Sequence, residues 1–180
     1  TGAAAAKVTI SGLTGTQNAA SPVVTSDTDA SQTNALGTSG DWTQGTGTLV
    51  LTAAADIEPA VACVITITVE NPSSNQESPT TVSAAATLTD GTSTTSIGAV
   101  AQATLTKATG DIYGISGGLA PLKVVVPAFT QTGSIQQSTP VAGDTSNVIT
   151  VTLTSNYRLK TGTGAAAAKV TISGLTGTQN

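Results

Sequence analysis

The side chains that carry most protein chemistry are scarce in this chain. There is no His and no Met, so no imidazole can act as a general base or metal ligand. Cys63 is the single cysteine, which excludes an intrachain disulfide and a thiolate zinc cage. Its setting, Val61-Ala62-Cys63-Val64-Ile65, is apolar and marks it as a small core residue. A disulfide to a neighbouring subunit is the sharper alternative. The ten carboxylates are dispersed. Asp27 and Asp29 have the Asp-x-Asp spacing of a calcium loop, but no closing Glu follows, so a solvated loop is expected. Gly114, Gly117 and Gly118 lack phosphate-loop spacing and a following Lys-Ser/Thr, and read as turns. A glycosidase needs paired carboxylates in a cleft with aromatic platforms; the only aromatics are Trp42, Tyr113, Phe129 and Tyr157. The expectation is a chain with no catalytic residue, no metal site and no bound cofactor.

What the chain has in quantity is hydroxyl groups: 36 Thr and 17 Ser. N-linked sugar is not expected, because Pro72 blocks the sole candidate, Asn71-Pro72-Ser73. Dense Ser and Thr with interspersed Pro support O-linked sugar. The candidates at predicted turns are Ser21, Ser73, Ser74, Ser78, Thr80, Thr81, Thr94, Thr95, Ser138 and Thr139. Covalent glycans would supply the hydration that charge does not. A plain polar surface is the alternative.

Charged residues make up 9% of the chain, against about 25% in an ordinary soluble domain. Net charge is −4, and the five Lys and Arg158 are scattered, so the basic footprint of a nucleic-acid binder is missing. No stretch approaches the roughly 20 apolar residues of a helical membrane span. No signal peptide is visible; a chain that opens Thr1-Gly2 is expected to be a processed product or a window on something longer. Disorder is one reading of so much Ser, Thr, Gly and Ala. The runs of Val, Ile and Leu argue against it, and β-branched side chains suit a pleated surface.

The strongest signal is a repeat. Thr1 to Asn18 reads TGAAAAKVTISGLTGTQN, and Thr163 to Asn180 reads the same at all eighteen positions. Internal repeats decide architecture before anything else. Either the chain is a slice through an array of period 162, or a terminal segment has been duplicated, for instance to donate a strand. The chain thus divides into a first linking segment (1–18), a body (19–162) and a second linking segment (163–180).

The remaining pattern is a series of short strands. Alternation or β-branched runs predict strands at Lys7 to Leu13, Thr48 to Thr52, Val61 to Glu70, Thr81 to Thr89, Ile97 to Thr106, Leu122 to Phe129, Asn147 to Thr154 and Lys169 to Leu175. Asn18 to Gly47 reads as a long loop with one short extended piece near Val23-Val24. Asp90-Gly91 is a hairpin signal. Pro127 marks an edge or bulge. Seven or eight strands without a convincing helix give an all-β chain, and an immunoglobulin-like β-sandwich is the expected architecture. The Cys pair around a Trp of true immunoglobulin domains is absent, so that likeness is architectural.

Open sheet edges are usually guarded by charge, and this chain has little. Added-strand pairing is an established recognition mode, and head-to-tail contacts that do not close build filaments. The expected assembly anchors are Val8, Ile10 and Leu13, their copies Val170, Ile172 and Leu175, and Ile149, Val151 and Leu153. Asn147 to Thr154 and Lys169 to Leu175 are expected to form one hairpin.

NVITVTLTSNYRL and KVTISGLTG at Asn147 to Thr176, Trp42, the strand Thr48 to Thr52 and CVITITVENP resemble the Thr/Ser-rich β-sandwich tandem repeats of large secreted filament proteins. Those are glycosylated surface fibres of algae, protists or other aquatic microbes. The resemblance covers about half the chain. It implies a structural, extracellular role with identical repeats as partners, and no catalytic residue. In algae-like secretion, hydroxylated and sugar-bearing Pro22, Pro79 or Pro140 would also fit. The alternative is the stalk domain of a giant repetitive cell-surface adhesin, for which calcium at the junctions and a distinct terminal head would speak.

Overall fold

The computed structural model describes residues 4–28, 32–130, 133–162 and 167–177. It is nearly all β, with nine strands and a single 3-10 turn among the described residues. The chain forms two compact units, Thr1–Ile112 with Ser116–Val126, and Tyr113–Ile115 with Pro127–Asn180.

The first unit contains β1 (Lys7–Ser11), β2 (Val23–Thr28), β3 (Asp41–Thr43), β4 (Thr48–Thr52), β5 (Cys63–Thr68), β6 (Ser83–Leu88) and β7 (Gly98–Thr104). Five of them make an antiparallel sheet in the order β3-β4-β1-β6-β7, and β2 pairs with β5 in a second sheet. The alternation along β4 and β2 explains how the layers meet. Leu49 and Leu51 of β4 and Val24 of β2 point inward and are fully buried, joined by Leu36. Val8, Trp42, Cys63, Ile65 and Ile67 pack around this cluster. Each such side chain stabilises by roughly 1.5–3 kcal/mol when fully buried.

One buried polar residue fixes the approach to β3. Ser26, on the inner face of β2, has no solvent exposure. Its hydroxyl accepts from the Leu36 amide at 2.8 Å and donates to the Gly37 carbonyl at 3.2 Å. That satisfies the group where an unpaired one would be costly, and it seats Leu36 in the core. The Trp42 indole donates to the Asn18 carbonyl at 2.9 Å. The Asn18 side-chain oxygen accepts from the Glu70 amide at 2.6 Å.

The second unit contains β8 (Ser134–Gln137) and β9 (Ile149–Thr152), an antiparallel pair with Ile135 opposite Val151. Tyr113 and Tyr157 stack there with ring centroids 5.4 Å apart, and the Lys160 ammonium lies 5.8 Å from the Tyr113 ring.

Several expectations need correction. The predicted hairpin of Asn147 to Thr154 with Lys169 to Leu175 does not form: β9 takes as its partner β8, a strand the sequence reading did not include. Leu122 to Phe129 is not a strand. Val124 makes an isolated bridge to Gln76 and Phe129 one to Ser155; Leu122 has φ 59, which breaks extension at the start of the run. The long loop expected at Asn18 to Gly47 contains two strands: the extended piece near Val23-Val24 is the start of the six-residue β2, and β3 was not expected. Lys169 to Leu175 is in no strand.

Candidate assembly site

The geometry of interest is the slot between β4 and β6 that β1 fills. On one side Val8 faces Leu51 and Ile10 faces Leu49; on the other, Val8 faces Ala86 and Ile10 faces Ala84. Large residues flank β1 on the β4 side and small ones on the β6 side, so Ile10 has room to enter and is left 7% exposed. Hydrogen bonds extend the seat beyond the strand. The Ala53 amide donates to the Ala6 carbonyl at 2.8 Å, and the Leu13 amide to the Gly47 carbonyl at 2.9 Å. Gly12 ends the strand with φ +92, and a Cβ there would sit 2.2 Å from the Thr81 carbonyl oxygen. Only glycine can take that conformation against that neighbour at low cost.

The second copy of the same sequence is placed differently. Among the described residues, Lys169 to Leu175 pairs with no strand. Val170, Ile172 and Leu175 are 46%, 49% and 48% exposed. Gly174, equivalent to Gly12, has φ +86 and open space around it. Of the other anchors, Val8, Leu13 and Val151 are half-buried, and Ile149 and Leu153 are exposed. The structure therefore groups Val8, Ile10 and Leu13 in one seat, and leaves their three copies without one.

The remaining site residues fall as follows. Ser73, Ser74, Thr80, Thr81, Thr94 and Thr95 are exposed. Ser21 is exposed, with its hydroxyl donating to the Gly40 carbonyl. Ser138 is exposed and Thr139 half-buried, and both hydroxyls accept backbone amides, from Val148 and Val141. Ser78 differs from the other candidates: its hydroxyl oxygen is buried without a hydrogen-bond partner, so it is not presented to a modifying enzyme in this conformation. Asp29 lies outside the described residues. Asp27 accepts from the Asn34 amide at 3.2 Å. No group of three His, Cys, Asp or Glu side chains that could hold a metal occurs among the described residues. Cys63 is half-buried against the apolar cluster, and burial, with a smaller push from the Asp27 charge, raises its thiol pKa. A raised pKa reduces the thiolate fraction and the reactivity with it. No described helix is long and apolar enough to cross a membrane.

Sequence reasoning placed a strand at Ile97 to Thr106, where β7 lies, but missed that it is the exposed edge of the sheet. Its seven residues are all exposed, none is charged, and it pairs only with β6. The lack of charge in IGAVAQATLT was the available signal. No family model, curated protein or solved structure matches the chain.

Proposed function

We propose that this chain is a non-catalytic structural unit of an extracellular, glycosylated filament, built on an immunoglobulin-like sandwich, whose successive units are joined by sharing the repeated strand. One observation carries this reading. An eighteen-residue segment occurs twice without a change; the first copy supplies β1, the central strand of a five-stranded sheet, and the second has no strand partner among its described residues. A strand that is central in one unit and unpaired at the far end of the same chain is what a linear assembly uses at each junction. The five-strand layer over a two-strand layer supports the sandwich assignment, and the resemblance to Thr/Ser-rich filament repeats supports the setting. Exposed Ser73, Ser74, Thr80, Thr81, Thr94 and Thr95 are the proposed sugar acceptors, with covalent glycans the only non-protein groups.

Electron microscopy of the native material, with intact-mass measurement, tests this reading. The expected result is unbranched filaments of one repeated unit, with masses raised by sugar increments. Dispersed single particles of unmodified mass would overturn it.

A further inference from the structure

Building on that strand-sharing reading, we infer that the slot between β4 and β6 is a self-blocked acceptor: it binds Lys169 to Leu175 of a second copy of this chain, and the chain's own Lys7 to Leu13 is the plug that keeps it closed.

Sequence identity carries the fit. Every contact made by the first copy is available to the second. Val170 and Ile172 would take the places of Val8 and Ile10 opposite Leu51, Leu49, Ala86 and Ala84. Gly174 would take the place of Gly12 beside the Thr81 carbonyl, where any other residue is obstructed. The incoming segment comes from an exposed position in which about half of each anchor is in water. Seating it removes that apolar surface from solvent.

Occupancy is then decided by tethering, because the two rivals are chemically the same. The first copy is held to the rest of its unit by a short link that is itself anchored. The Thr16 carbonyl accepts from the Gln44 side chain at 2.9 Å, and the Gln17 amide donates to the Glu70 carbonyl at 2.9 Å. A short tether gives an effective concentration on the order of mM. A free chain at about 1 μM is therefore outcompeted by roughly 10³-fold while the plug is seated. Anything that unseats the plug converts a closed unit into an acceptor for the next one. The control of assembly lies in the first copy, although both copies have the same residues.

The test uses two full-length chains, both carrying Cys63→Ala. The acceptor carries Ala84→Cys, with Ile172→Asp to disable its own second copy. The donor carries Ile172→Cys. Ile10 and Ala84 are cross-strand partners, so a donor strand in the slot brings the two introduced thiols together. Under mild oxidation a disulfide-linked heterodimer is expected. Adding Ile10→Asp to the acceptor, which unseats the plug, should move the donor concentration for half-maximal dimer from about 1 mM to well below it. No dimer at any donor concentration up to about 1 mM, or the same dose response with and without Ile10→Asp, overturns the inference. If Trp42 emission shows that Ile10→Asp unfolds the acceptor, the Ile10 acceptor decides alone: dimer at about 1 mM donor supports the plug, and its absence overturns it. Filaments in native material without cross-linking would leave the polymer standing and remove the plug. Cross-linking without native filaments would do the reverse.

Discussion

Ile10 and Ile172 sit in the same local sequence, so an identical substitution at each isolates what the slot contributes. Ile10 is 7% exposed between Leu49 and Ala84, and Ile172 is 49% exposed with no strand partner. Ile→Ala removes three carbons, worth about 0.8 kcal/mol each when buried, or roughly 2.4 kcal/mol of transfer. A cavity term raises the cost where neighbours do not collapse, and Ala84 is too small to fill the gap, so Ile10→Ala should cost about 2.5–4 kcal/mol. Ile172→Ala, in dilute solution, should stay within about 0.5 kcal/mol. Trp42 is the only tryptophan and lies in the first unit, so its emission during urea unfolding reports that unit alone. The midpoint should fall strongly for Ile10→Ala and stay in place for Ile172→Ala, with an unchanged slope in both. Equal effects at the two positions, or a loss below about 1 kcal/mol at Ile10, would refute the assignment of the first copy to a buried central strand.

The same pairing applies to glycine. Gly12→Ala meets the Thr81 carbonyl at a positive φ and should destabilise by about 2–4 kcal/mol, whereas Gly174→Ala should be silent in the dilute chain; urea midpoints check both. Ser26→Ala leaves the buried Leu36 amide without its acceptor and should cost about 1–3 kcal/mol, seen again through Trp42. In the 89–97 loop, the Asp90 carboxylate accepts amides from Ser93 and Thr92 at 2.7 and 2.9 Å, and these bonds, the Ser93 one foremost, hold its pKa below the ordinary carboxylate value. A depressed folded pKa means that the stabilisation is present above the unfolded value and is lost as pH falls through the folded one. The Ser93 and Thr92 amide shifts should therefore titrate together below the ordinary carboxylate range, and Asp90→Asn should abolish that titration.

The sequence made some elements legible and concealed others for physical reasons. TLVLT and CVITIT alternate cleanly, and the structure has strands at both. The segment SAAATL paired with GAVAQAT as the Asp90-Gly91 signal implied, although the connection is longer than a two-residue turn because Asp90 folds the backbone around its own carboxylate. DWT and SIQQ are strands without a period of their own; they owe their state to β4 and β9 beside them. LKVVVPAF has high strand propensity yet finds only isolated bridges. KVTISGL makes the point most directly, being a strand where it has neighbours and none where it lacks them. Propensity describes fit to a pleated surface, and the surface must be supplied by other residues. In the candidate site, the alternation that places Val8 and Ile10 opposite β4 and β6 was legible in the sequence. The slot was not, because Ala84 and Ala86 carry no signal of what they accommodate.

A central strand contributed by the start of the segment imposes an order on biosynthesis. The nascent Lys7–Ser11 must wait for Leu88, the end of β6, a delay of about 4–15 s at ribosomal speeds of roughly 5–20 residues per second. Its twin emerges about as long again after β6 is complete. Vectorial translation thus gives the earlier twin first claim on its seat, and chemical refolding, which releases both at once, offers no such precedence. Material recovered from denaturant should for that reason contain more cross-paired chains than material made on ribosomes.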